Sequence, residues 1–397
     1  MKITDVKVYL LSHEVGRTYV IVKVETDDGI YGIGDATLEG KEESVATAIK
    51  EFRTYLLGKN PFHIEHHWQT MYRGGFWIGG VVVLSAISGI EHALWDIVGK
   101  KLDQPVYNLL CGPCRDKIRV YTHVSGRTPE ELAENGLTLV RQGYSALKFG
   151  PWGGPHFGNL TPENFRNAVR SVEALREAVG DDIALLVHEH GYMSPSTAIS
   201  MAKAIEPYDI FWFEEPVQPE NVDAMAEVAR ATRIPIASGE RIYTKFGYRE
   251  LLEKRAISVA QPDPCHAGGI LECKKIAAMA EAYYVTIAPH NPYGPVAVAV
   301  SVQLDACIPN FIIQEFEHIH AEHGYHDILV NPLVVKKGFI SIPTEPGLGI
   351  ELNEEALEKY PYQPKKHHRD TLPYQDGSNF GEASSSERGN YNRTSFR

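Results

Sequence analysis

Seven ionisable residues are spaced as if they closed six copies of a repeating structural unit. They are His188 with His190, Glu214, Glu240, Asp263, His290 and Glu315, and from His188 the steps are 26, 26, 23, 27 and 25 residues. Lys148 precedes them in a similar setting. Carboxylates brought together repel unless a cation joins them, and oxygen donors suit a hard divalent ion, with Mg2+ the natural choice. Asp263 and His290 close neighbouring units. A carboxylate bonded to one imidazole nitrogen fixes the tautomer and raises the basicity of the other, which makes His290 a candidate general base. His190 lies two residues beyond His188, on the same face of an extended strand, and is a candidate general acid. A cation, a base and an acid around one point can remove the proton α to a carboxylate. The cation and Glu315 would stabilise the enediolate oxygens, and a β-hydroxyl could then leave as water.

A plainer reading competes at each position, because a carboxylate after a strand is often the N-cap of the following helix. That reading suffices for any one residue and fails for the set, since successive units all end this way. Glu214 and Glu240 also sit in stiff contexts, Phe213-Glu214-Glu215-Pro216 and Ser238-Gly239-Glu240-Arg241.

The elements that must carry these residues are short apolar runs: 118–124, 145–149, 183–187, 210–213, 234–237, 257–260, 285–288 and 311–313. Helix-like stretches separate them, some with clear start signals such as Thr128-Pro129-Glu130-Glu131. Strands alternating with helices pair in parallel, and eight of them predict a closed (β/α)8 TIM barrel, an α/β fold whose chemistry lies at the C-terminal strand ends. Ahead of the barrel, Val6, Val8 and Leu10 alternate in the β manner, as do Val20, Val22 and Val24, with a turn at Asp28-Gly29. Leu84, Ile87, Ile90, Leu94 and Val98 then recur at helical steps and predict one long amphipathic helix. We expect an α+β capping domain over residues 1–115, a catalytic barrel over 116–328, a C-terminal segment returning to the cap over 329–376, and a disordered tail over 377–397.

With 397 residues, 43% of them hydrophobic, the chain is long enough for such a barrel and a second unit. The net charge of −12, without a long basic stripe, argues against nucleic acid or an anionic membrane as partner and favours a small polar substrate. The N-terminus, Met1-Lys2-Ile3-Thr4-Asp5, lacks the pattern of a signal peptide, and no run of consecutive apolar residues reaches membrane-spanning length, so a cytoplasmic location is expected. Five cysteines do not suggest a disulfide framework, and Cys111-Gly112-Pro113-Cys114 reads as a tight turn rather than a redox or zinc motif. His318, His320, His323 and His326 read as a surface loop.

The sequence resembles the enolase superfamily, within it the mandelate racemase-like subgroup, and there the acid-sugar dehydratases of the galactonate dehydratase type. Carrying the resemblance are Tyr72-Arg73-Gly74-Gly75-Phe76, the stretch Ala93–Lys100, Phe213-Glu214-Glu215-Pro216, Gly239-Glu240-Arg241, Gln261-Pro262-Asp263, His266-Ala267-Gly268-Gly269, Ala288-Pro289-His290 and Gln314-Glu315. It implies a lyase of carbohydrate-acid catabolism: a metal-dependent dehydratase taking an aldonate to its 2-keto-3-deoxy acid. Glu214, Glu240 and the residue at position 188 would be metal ligands, Asp263 and His290 the base dyad, Glu315 the enediolate stabiliser and His190 the acid. Substrate contacts are expected from Lys148, from cap loops near Arg17 and Trp77, and from His266, which either lines the site or supports it from behind. The resemblance also implies a homo-oligomer.

Two positions depart from the pattern. Where racemases of the family carry a second lysine two residues after the first, this chain has Gly150, which disfavours a lysine-based racemase. Where the family has an aspartate as first metal ligand, this chain has His188. A neutral imidazole removes one negative charge from the shell and suits Mn2+, Fe2+ or Zn2+ better than Mg2+. Three outcomes stay open: a softer metal, weaker Mg2+ binding, or loss of the reaction. The alternatives to a dehydratase are accordingly a hydroxy-acid epimerase or racemase, and a catalytically silent relative that acts as a binding or regulatory protein.

Overall fold

The structure is a computed structural model, and it describes residues 1–12, 18–151, 160–318 and 325–364. The first three strands, β1 (Ile3–Ser12), β2 (Thr18–Thr26) and β3 (Tyr31–Asp35), form an antiparallel meander. Val6, Val8 and Leu10 stand opposite Val24, Val22 and Val20, so the alternation read in the sequence is the pairing register itself. One face of the meander packs on α1 (Glu42–Leu56), α2 (Ile64–Arg73) and α3 (Val81–Leu102).

α3 was expected to be amphipathic, and this is corrected. From Leu84 to Gly99 every residue but Trp95 is buried, because the helix is sandwiched between the meander and the barrel. Its length and apolar composition alone would let it cross a membrane, but 78% of its apolar window is buried inside the protein. β3 approaches it so closely that a Cβ on Gly32 or Gly34 would stand about 2 Å from a backbone oxygen of α3. Side chains at those two positions would push the sheet off the helix.

Seven of the eight apolar runs overlap the parallel strands of a closed (β/α)8 barrel, and the eighth, 311–313, leads directly into the last strand. The strands are β4 (Lys117–His123), β5 (Ala146–Phe149), β6 (Ala184–His188), β7 (Ile210–Glu214), β8 (Ile236–Ser238), β9 (Val259–Ala260), β10 (Thr286–Ile287) and β11 (Gln314–Glu315). β11 pairs with β4, and a parallel bridge between Ile287 and Phe311 closes the ring. Helices α4 (Val106–Leu109) through α11 (Pro295–Cys307) link the cap to the barrel and then connect its strands. Three of them, α5 (Pro129–Arg141), α6 (Pro162–Val179) and α7 (Pro195–Ile205), begin with proline after a Thr or Ser whose side chain accepts a backbone N–H. That device supplies an acceptor for one of the unsatisfied donors at a helix start.

The barrel interior is a layer of eight side chains: Tyr121, Ala146, Leu186, Trp212, Ala237 and Val259 from the first six strands, Ala288 just after β10 and Ile313 just before β11. Since strand residues two apart share a face, the next inward positions toward the C-terminal mouth on the first four strands are His123, Lys148, His188 and Glu214. After the barrel, β12 (Val335–Lys336) and β13 (Phe339–Ser341) form a hairpin whose second strand pairs antiparallel with the N-terminal end of β4. The chain then returns to the cap, where Glu351 pairs with Lys100 and Glu354 with Lys23.

Candidate active site

Directly above the interior layer lies a buried charge cluster. The Lys148 ammonium is 2.5 Å from Glu214 Oε1 and 3.0 Å from Glu315 Oε1. His123 Nε2 is 2.6 Å from the same Glu315 oxygen. Glu214 Oε2 accepts hydrogen bonds from Trp212 Nε1 and Gln261 Nε2, and Glu315 Oε2 accepts one from the Asn291 backbone N–H. Burial alone would discharge Lys148, but Glu214 and Glu315 outweigh it and hold the ammonium well above its ordinary pKa. Burial likewise opposes the Glu315 carboxylate, while Lys148, His290 and His123 keep it ionised well below the usual range.

The next two strands supply the dyad. Asp263 Oδ2 is 2.7 Å from His290 Nδ1, and Asp263 Oδ1 accepts the Cys265 backbone N–H at 2.7 Å. As an acceptor, the carboxylate fixes the hydrogen on Nδ1 and turns Nε2 toward Glu240 Oε2 at 3.3 Å and Glu315 Oε2 at 4.0 Å. Burial lowers the His290 pKa, but Glu240, Glu315 and Asp263 together raise it to about 10. Glu240 arrives here because Gly239, at φ 145°, turns the chain beneath the Tyr248 hydroxyl, which donates to the Gly239 carbonyl at 2.8 Å. A Cβ on Gly239 would stand 2.1 Å from that hydroxyl oxygen.

On the other flank, His188 ends β6 opposite Glu214. The strand stops there, and His190 follows in the left-handed region at φ 57°. The alternation argument for a shared face therefore does not apply, yet the turn still brings the rings together, edge to face, with centroids 4.4 Å apart. His190 keeps an exposed edge, and its pKa is pushed down first by desolvation in the crowded mouth, against the pull of Glu240. His188 is buried and held well below its ordinary pKa by burial, then by His190 and Lys148, so the ring is neutral. Its Nε2 lies 3.0 Å from where a Cβ on Gly150 would stand. Gly150, noted in the sequence as a missing lysine, is thus the space into which the imidazole fits.

Glu214 and Glu240 fit a hard cation by donor chemistry, because stand-in cations already occupy their oxygens: Lys148 on Glu214 and His290 on Glu240. Among the described residues no three His, Cys, Asp or Glu side chains are gathered as a ready coordination cluster. The fit is therefore that of a carboxylate pair, with the neutral ring of His188 as the third candidate donor.

The remaining expected residues fare differently. His266 is buried and both ring nitrogens are engaged within the protein, so it stands behind Asp263 and is not a substrate contact as positioned. Trp77 is exposed on the loop between α2 and α3 beside Phe76. Arg17, His320, His323 and the tail expected beyond residue 376 lie outside the described residues. His123 was missed, although it lies 25 residues before Lys148 and so obeys the same spacing. Its run continues through Val124, which hid the point where the strand ends.

Residues 10–111 match the family described as mandelate racemase / muconate lactonizing enzyme, N-terminal domain, and residues 131–356 match the one described as enolase C-terminal domain-like. A D-galactonate dehydratase of Variovorax paradoxus (strain S110) is 38% identical over 384 residues, covering 95% of this chain and 99% of that one. Among solved structures, a mandelate racemase/muconate lactonizing enzyme from Sulfitobacter sp. is 36% identical, with a TM-score of 0.87 over 92% of this chain and 97% of the other. A member of the enolase superfamily from Salmonella Typhimurium is 34% identical, with a TM-score of 0.87 over 91% of this chain and 98% of the other. The barrel with its cap, the carboxylates at successive strand ends and these matches agree: the chain belongs to the enolase superfamily, in its mandelate racemase-like group.

Proposed function

We propose that this protein is a metal-dependent hydro-lyase that dehydrates an aldonate-type acid sugar to its 2-keto-3-deoxy acid. The observation that carries the reading is the Asp263–His290 pair at 2.7 Å, with Nε2 left facing the cluster of Glu240 and Glu315. A dyad so oriented is a general base whose tautomer is fixed in advance. The 38% identity to a D-galactonate dehydratase supports the substrate class.

The Lys148 ammonium offers a positive charge to the substrate carboxylate. His290 Nε2 takes the α-proton, and Asp263 balances the imidazolium that results. His290 serves as a base only when the pull of Glu240, the strongest of the through-space charges raising its pKa, is relieved. Glu214 and Glu240, with His188, would hold the divalent cation, which supplies Lewis-acid withdrawal of charge from the carboxylate. His190, protonated from solvent at its exposed edge, delivers that proton to the departing β-hydroxyl, and the enol product then ketonises. Incubation with a panel of sugar acids and Mg2+ or Mn2+ is expected to give a 2-keto-3-deoxy acid from at least one member. Solvent deuterium at the α-carbon without loss of water would instead identify an epimerase or racemase, and no reaction with any member would overturn the enzyme reading.

A further inference from the structure

Ser85, Ser88, Glu91 and His92 share one face of α3, and that face lies on the barrel segment from Asp263 to Leu271. Ser88 Oγ accepts the Gly268 N–H, Glu91 accepts the Ile270 and Leu271 N–H groups at the start of α10 (Ile270–Ala282), and His92 Nε2 reaches the Pro264 carbonyl. The contact closest to the dyad is that of Ser85 with His266, where Oγ and Nδ1 are 2.8 Å apart.

Counting hydrogens fixes the direction of that contact. The Ser85 hydroxyl has one hydrogen and lies 2.8 Å from the Val81 carbonyl of its own helix, which can only accept. The bond to His266 therefore takes its hydrogen from Nδ1. Burial pushes the His266 pKa down, so the ring is neutral and Nε2 is a bare acceptor. The Tyr293 hydroxyl, 2.7 Å from Nε2, then donates to it. This arrangement satisfies all three hydrogens. The reverse one leaves the Tyr293 hydrogen without an acceptor in any hydrogen bond described.

The consequence reaches the dyad. His266 Nε2 is 3.7 Å from Asp263 Oδ2, the oxygen that accepts His290 Nδ1–H at 2.7 Å. A hydrogen on Nε2 would set a second donor against that oxygen. We propose that Ser85 of the cap locks His266 in the Nδ1–H tautomer and thereby reserves Asp263 for His290, making Ser85 and His266 positioning residues for the base. The link to catalysis rests on His290 being that base, whereas the tautomer lock stands independently of any substrate.

Long-range 1H–15N spectra of the full chain labelled with 15N-histidine test the lock, with His266 assigned by the signal lost in His266→Gln. The native ring is expected to show the Nδ1–H pattern, Ser85→Thr to keep it, and Ser85→Ala to populate Nε2–H. On a sugar acid that the native protein turns over, Ser85→Ala is expected to lower kcat about tenfold with KM unchanged, and Ser85→Thr to restore it. A native Nε2–H or doubly protonated ring, or an unchanged pattern in Ser85→Ala, would overturn the proposal. The spectra decide this even if no sugar acid reacts, so failure of the dehydratase reading and failure of the lock remain distinguishable.

Discussion

On the β9–β10 flank of the barrel mouth, both oxygens of Asp263 are engaged, the His290 tautomer is fixed, and the cap presses on the segment behind them. On the β6–β8 flank, the strand ends at His188, His190 stands in a left-handed turn, and Glu214 and Glu240 are held by side-chain cations. The first flank is preorganised by hydrogen bonds that engage both oxygens of Asp263 and both ring nitrogens of His266. The second is arranged by charge: the Lys148 ammonium and the Nε2 proton of His290, whose ring stays where Asp263 holds it, must give way before a divalent ion can be held. Base and acid therefore depend on different physics, and substitutions on the two flanks should separate the two half-reactions.

The largest expected effect is on the base. His290→Asn removes the acceptor at Nε2, and dehydration is expected to fall about 10³-fold, together with exchange of the substrate α-proton for solvent deuterium. Retained exchange in that variant would mean that the preorganised flank is not where the proton is taken. His190→Asn comes next: dehydration is expected to fall about 10²-fold while α-proton exchange survives, because only expulsion of the hydroxide needs the acid. Parallel loss of exchange and dehydration would show that the flanks do not divide the reaction.

The charge-arranged flank is also probed through its metal. His188→Asp returns an anionic oxygen donor to the third-strand position, and Mg2+ affinity measured by titration is expected to tighten about tenfold. Unchanged affinity would mean that position 188 lies outside the ion's reach. Because a Cβ on Gly150 would sit 3.0 Å from His188 Nε2, Gly150→Ala is expected to destabilise the native protein more than the His188→Asp variant, as thermal unfolding of the double-mutant set would show.

Strand-end spacing made most of this mouth legible in the sequence, because a residue that closes a barrel strand is placed by the register of its neighbours. His188 facing Glu214 follows from parallel pairing alone. His190 was identified for a reason that does not apply: its position depends on a left-handed turn, which alternation cannot anticipate. The burial of α3 was hidden because periodicity reports one apolar face and says nothing of a barrel covering the other. Ser85, Ser88, Glu91 and His92 were equally silent, since polar residues on an apolar helix acquire meaning only from the segment docked against them. The departure at Gly150 was visible, but its steric cause lay on the adjacent strand.

The smallest effect tests the premise behind the comparison, that a buried carboxylate helps only when its partners are in place. Asp305 on α11 is as buried as Asp263, yet among the described residues neither of its carboxylate oxygens has a hydrogen-bond partner. The nearby Arg115 guanidinium donates instead to the backbone carbonyls of Asp305 and Ile308. Burial pushes the Asp305 pKa well above the ordinary range, with Arg115 opposing. The folded state therefore binds this proton more tightly than the unfolded chain. Its stability is fully present below the unfolded pKa of about 4 and is lost as pH rises toward the folded value. Asp305→Asn keeps the shape and removes the charge, so Tm is expected to rise by about 2–5 °C at pH 7.5 and to converge with that of the native chain near pH 4. A variant no more stable at pH 7.5 would show that the Asp305 carboxylate is satisfied after all, and that hydrogen-bond completeness does not separate buried acids in this barrel.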